Sequence, residues 1–147
     1  MRRAAPSDLD TLVRFRRRMF EDMGVRDGLD AADRVYRRWA GRLLRRGELV
    51  GWIAERGGRA VAGGCVWLRP QQPRPGATRD VQPYLLSVYT EPEFRGRGLA
   101  SKVARAAIDW CRRSGFPGLA LHASSMGRRV YAKLGWRRTW EMKLELA

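Results

Sequence analysis

A chain of 147 residues that is 44% apolar and carries six Trp can bury a core, which excludes a disordered basic tail. Its net charge of +15 predicts attraction to polyanions or to a ligand bearing several phosphates. No apolar run approaches the ~20 residues of a membrane span, which excludes a membrane partner at this level.

The basic residues are spread in doublets such as 37–38, 45–46 and 128–129, with no long run. A nucleic-acid surface is therefore allowed but not favoured. No secretory signal is legible at residues 1–6, and the one His cannot build a metal site with Cys65 and Cys111. A cytoplasmic protein with reduced core thiols and no metal is expected.

Helical spacing of Leu9, Leu12, Val13, Met19, Phe20 and Met23 predicts a first helix over 6–23, with Pro6 or Ser7 in its first turn. Asp30 is a good N-cap for a second helix, whose stripe is Ala32, Tyr36, Trp39, Leu43 and Leu44 and whose end is Gly47. The period then switches to two. Strands over 48–55 and 59–68 meet at Gly57-Gly58, residues 70–80 are a loop, and 84–90 is a third strand. A helix follows from Leu99 to about Gly115, then a short strand 119–122 and a short helix 126–134. Trp136, Trp140, Met142, Leu144 and Leu146 alternate with charged residues, which predicts a half-buried terminal strand.

This order predicts an α/β domain over 1–147 (α+β by order), with about four helices around a mostly antiparallel mixed sheet containing one parallel pair. Between the third strand and the next helix lies Arg95-Gly96-Arg97-Gly98-Leu99-Ala100. A glycine-rich turn that opens a helix exposes unpaired N–H groups at the positive end of the helix dipole, an arrangement suited to phosphate. Two nucleotide readings fail. No Walker string occurs, and the dinucleotide fingerprint meets Ser101 where it needs glycine and His122 where it needs an acid.

Arg95-x-x-Gly98-x-Ala100 resembles the Arg/Gln-x-x-Gly-x-Gly/Ala signature of the GCN5-related N-acetyltransferase (GNAT) superfamily. Ser87 to Arg95 is similar to the strand and "Pro-x-x-Arg" that precede that signature. Val130-Tyr131-Ala132-Lys133-Leu134-Gly135-Trp136 resembles the family's "Leu-Tyr-Glu-Lys-Leu-Gly-Phe" segment. The resemblance covers 81–146 and implies acetyl-CoA as cofactor, held where the parallel strands splay apart.

By position, it implies that Val88 and Thr90 contact the cofactor arm through backbone groups, with the Val88 N–H facing the thioester oxygen. The cradle residues Arg95, Gly96, Arg97, Gly98, Leu99, Ala100 and Ser101 would hold the pyrophosphate. Tyr131 would protonate the leaving thiolate, and Ser124 would make one contact where relatives carry Asn. Tyr84 stands where some relatives place a strand carboxylate, so the general base is unassigned, and His122 is a candidate.

The implied activity is acetyl transfer to a primary amine by direct attack, the amine belonging to a small molecule or peptide. Alternatives are a macromolecular acceptor, namely a ribosomal protein N-terminus or an aminoacyl-tRNA, and a non-catalytic CoA- or nucleic-acid-binding module. The acceptor should reach the site from the first two helices and the 70–80 loop. There Glu21, Asp22, Asp27, Asp30 and Asp33 could recruit a cation, though acids at a helix N-terminus explain part of the cluster; Tyr36, Trp39 and Trp67 could wall an apolar pocket, core packing being the safer reading. A homodimer is also allowed.

Overall fold

Strand β2 (Leu49–Arg56) is an unbroken apolar run at its start because both of its faces are covered. Leu49 and Ile53 pack against one cluster with Leu12, Val13, Tyr36, Ala40 and Leu43, from helices α1 (Leu9–Asp22) and α2 (Leu29–Arg46). Val50 and Trp52 turn to the opposite cluster with Ala104, Ala107 and Cys111 of helix α3 (Leu99–Arg113). Alternation along one strand thus feeds two cores. The computed structural model in which these clusters are seen describes residues 1–146.

The sheet runs in chain order: β1 (Arg2–Arg3), β2, β3 (Arg59–Pro70), β4 (Val81–Thr90) and β5 (Ala120–Leu121). Neighbours are antiparallel except the last pair, which is parallel. This is the expected mixed sheet with one parallel pair. A fourth helix, α4 (Arg128–Lys133), follows β5. None of the described helices is long and apolar enough to cross a membrane.

Three expectations need correction. The first helical segment begins as a 3₁₀ turn over Pro6–Asp8, and the α-helix proper starts at Leu9. Asp30 is not the cap of α2: Gly28 occupies that position in a left-handed conformation, and Asp30 lies in the first turn. The predicted terminal strand is absent among the described residues, and Trp140 is 96% exposed. The physical reason is the partner. Strand β5 is two residues long, and alternation states which face of a strand is apolar without supplying an edge to pair with. Trp136, at the start of that tail, is anchored by its Nε1 donating to Leu119 O at 2.9 Å.

The feature that positions the site is a bulge in β4. Register with β3 runs Cys65↔Leu86 and then Gly63↔Tyr89, so Ser87 and Val88 together oppose Gly64. Ser87 takes a φ of 53°, the one positive φ at a non-glycine among the described residues. A side chain at Gly64 would meet Val103 Cγ1 at 2.9 Å and Val88 Cγ2 at 3.0 Å. Glycine there lets α3 and the bulge close onto the sheet.

Candidate acetyl-transfer site

Parallel pairing of β4 with β5 ends at Leu85↔Leu121. Beyond it, residues 86–90 of β4 have no neighbouring strand on that side, and a cleft of about 1130 Å³ opens against them. The cleft brings together Val88, Thr90, Arg95, His122, Ser124 and Tyr131, six of the residues singled out from the sequence. The cradle residues 96–101 do not line it. They lie at the N-terminus of α3, next along the chain from Arg95 at its rim.

Each of these side chains has an environment that defines what it can do. Tyr131, on α4, packs its ring against Trp136 at 5.6 Å, and burial raises its phenol above the usual range. It is therefore protonated at neutral pH. Ser124 closes its own turn, its Oγ accepting from the Gly127 N–H at 3.1 Å. His122 is exposed at the rim, one residue past β5. Cys65 and Cys111 are buried, and desolvation pushes their thiols up to about 12 and about 11. Neither is an available nucleophile.

The cradle fits a phosphate group. Gly96 and Gly98 hold φ of 73° and 74°, and a Cβ on either would point into open space. An anion can therefore approach the backbone closely. Lys102 is the first residue of the turn whose amide closes on the helix, donating to Gly98 O at 3.0 Å. The amides of 96–101 have no partner among the described residues, as an anion site at a helix start requires. Thr90 Oγ1 is buried without a partner at the cleft wall, a further polar atom that a bound arm could satisfy.

Arg95 has a second role that its motif does not reveal. Its Nε donates to Thr90 O at 3.0 Å and its terminal amine pairs with Asp22, so it ties the cradle to α1. Glu91 is fully buried and paired with Arg18, with Tyr89 Oη donating to it at 3.3 Å. Nothing in the local sequence marks Glu91 as buried, because the arginine that neutralises it lies on α1, far away in the chain.

Tyr36, Trp39 and Trp67 both pack in the core cluster and line the cleft, whereas residues 70–80 do not line it. That loop is held elsewhere: Gln71 N donates to Asp80 O at 2.7 Å, and Arg79 stacks on Phe116 at 4.5 Å. The acidic cluster is also largely neutralised in place. Arg17 pairs with Glu21 at 3.2 Å, Asp30 at 2.6 Å and Asp33 at 2.8 Å, and Asp22 is taken by Arg95. Sequence reading missed Arg16, which lines the cleft from α1, and the bulge at Ser87. The adjacent Gly63-Gly64 in β3 was the available signal for the bulge.

The model of the acetyltransferase (GNAT) family matches residues 10–136. A GCN5-related N-acetyltransferase from Ralstonia eutropha JMP134 superposes with a TM-score of 0.91 at 31% identity, covering 99% of this chain and 96% of that one. A protein from Clostridium acetobutylicum, described as a predicted acetyltransferase with acetyl-CoA, gives 0.89 at 30% identity, covering 99% and 94%. N-acetyltransferase 8 of Mus musculus is 28% identical over 98 residues, which is 65% of this chain and 41% of that protein. The chain thus spans well under two thirds of that curated relative. With cradle, splayed strands and family model in agreement, the chain belongs to the GNAT family of acetyltransferases.

Proposed function

We propose that this chain transfers an acetyl group from acetyl-CoA to a primary amine by direct attack within a ternary complex. The observation that carries this reading is the meeting of the β4 bulge and Tyr131 in one cleft, next to a helix start with unpaired amides. Acetyl-CoA, when bound, supplies a thioester carbonyl open to an amine. The amides of 96–101 would hold its pyrophosphate, and Val88 and Thr90 would hold its arm through backbone groups. The Val88 N–H would stabilise charge growing on the carbonyl oxygen, a fixed donor that needs no reorganisation. As nitrogen bonds to carbon and the C–S bond breaks, Tyr131 would give its phenolic proton to sulfur. The amine proton would leave to His122, directly or through water. With both thiols buried and protonated, an acetyl-cysteine route finds no support.

The test is amine-dependent release of free thiol from acetyl-CoA by the purified chain. Thiol release is expected with at least one amine. Tight CoA binding with no release across small amines, peptides and aminoacyl-tRNA would overturn the catalytic reading.

A further inference from the structure

Resting on the acetyl-transfer reading above, we propose that the acceptor is an amino carboxylate with a large apolar side chain, its carboxylate held by Arg16. Helix α1 carries Arg14, Arg16, Arg17 and Arg18. Arg14 reaches Ala60 O at 3.4 Å, Arg17 holds three carboxylates, and Arg18 holds Glu91. Arg16 alone of these four has no acceptor among the described residues. It is half-buried at the cleft wall, its guanidinium 4.7 Å from the Phe20 ring centre and 4.6 Å from that of Tyr36. Ring contacts favour the charge over its faces and leave the N–H edges free for an acceptor. A half-buried guanidinium with open N–H edges is suited to a charge-assisted pair with a carboxylate.

An independent observation lies beside it. Tyr36 is 6% exposed, touches Arg16, and lines the same cleft with its hydroxyl beside Ser87 of the bulge. The guanidinium edge of Arg16 therefore lies in a cleft wall that gives it no acceptor among the described residues, with Tyr36 bridging it toward the bulge.

Charge selects the ligand. Asp22 and Arg95 cancel each other at the rim, and Arg17 occupies the nearby acids. One fixed positive charge is left at this end of the cleft, which matches a monoanionic carboxylate and not a phosphate dianion. The surrounding wall of Met19, Val35, Trp39 and Trp67 suits an apolar side chain. Because Tyr36 touches both Arg16 and the neighbourhood of Ser87, the carboxylate site lies close to the bulge. The amine and carboxylate of the acceptor should therefore be only a few bonds apart.

The test compares phenylalanine, phenylalaninamide and phenethylamine as acceptors, read by thiol release from acetyl-CoA. Wild type should favour phenylalanine over the amide by about 10- to 100-fold in kcat/KM, as expected for a charge-assisted contact. Arg16→Gln should bring that ratio near one, and Arg16→Lys should keep part of it. Turnover of phenethylamine or the amide as fast as phenylalanine, or a ratio indifferent to Arg16→Gln, overturns the proposal and leaves acetyl transfer standing. Melting curves with CoA and N-acetylphenylalanine give a readout free of turnover. The acid should raise the Tm of wild type more than that of Arg16→Gln, whereas N-acetylphenylalaninamide should not discriminate. An Arg16-dependent shift without any thiol release would overturn acetyl transfer and keep the carboxylate site. Equal shifts overturn the site.

Discussion

The two ends of the cleft present donors of different origin. Toward β4 and α3 the groups proposed to bind are backbone amides: the bulge at Ser87–Val88, and the turn at 96–101 that lies next along the chain from Arg95 at the rim. At the α1–α2 end they are side chains, Arg16 and Tyr36, brought together by helix packing. A backbone site needs only a local conformation, so short glycine-containing motifs encode it. A side-chain site needs two distant segments to meet, so it can change its ligand without disturbing the cofactor end.

The largest effect should come from breaking the backbone end. Gly98→Val places a β-branched residue at a φ of 74° and puts methyl groups where the anion would sit. The local strain is about 1–2 kcal/mol, and CoA binding by calorimetry should fall beyond detection. Binding within a few-fold of wild type would show that the cradle is not the pyrophosphate site.

Next comes the clamp that joins the ends. Glu91→Ala removes a fully buried carboxylate and leaves Arg18, itself partly exposed, without its partner. Breaking such a pair costs about 3 kcal/mol, the low end being apt because Arg18 can turn to water. Urea unfolding measures it, and a loss below about 1 kcal/mol would mean that the ends are joined by other contacts.

Tyr131→Phe separates chemistry from packing, since the ring against Trp136 is retained while the hydroxyl is lost. The kcat should drop by about 100-fold, with a smaller change in acetyl-CoA KM. An unaltered kcat would remove Tyr131 as the proton donor.

The smallest effect distinguishes the two layers by pH. Cys65 sits in the α1–α2 cluster and Cys111 in the α3 cluster, with thiols raised from 9.0 to about 12 and about 11. As pH rises above 9 the unfolded chain releases these protons before the folded chain does, so stability must fall. Between pH 8 and 9.5 the loss should be about 1 kcal/mol or less per thiol. Chemical denaturation at the two pH values measures it, and Cys65→Ala and Cys111→Ala should each remove one share. Stability that rises over this range would contradict the burial of both thiols.

Much of the fold was legible because the period of apolar residues changes at the element boundaries, as at Gly47, where helix gives way to strand. The terminal segment was misread because its alternation at Trp140, Met142 and Leu144 met no strand edge long enough to pair with. The glycine-rich turn, the strand before it and the short helix carrying Tyr131 were likewise readable, since each is set within its own segment. Burial of Glu91, diversion of Arg95 to Asp22 and neutralisation of the acids by Arg17 were not readable, because each depends on a partner brought by packing. By itself the sequence determined the order of elements and a glycine-rich helix start, both set by local backbone preference and hydrophobic period. Only the tertiary structure decided which charges are cancelled, and so which one, Arg16, is left facing the cleft: ion pairing depends on distance in space, and distance along the chain does not reveal it.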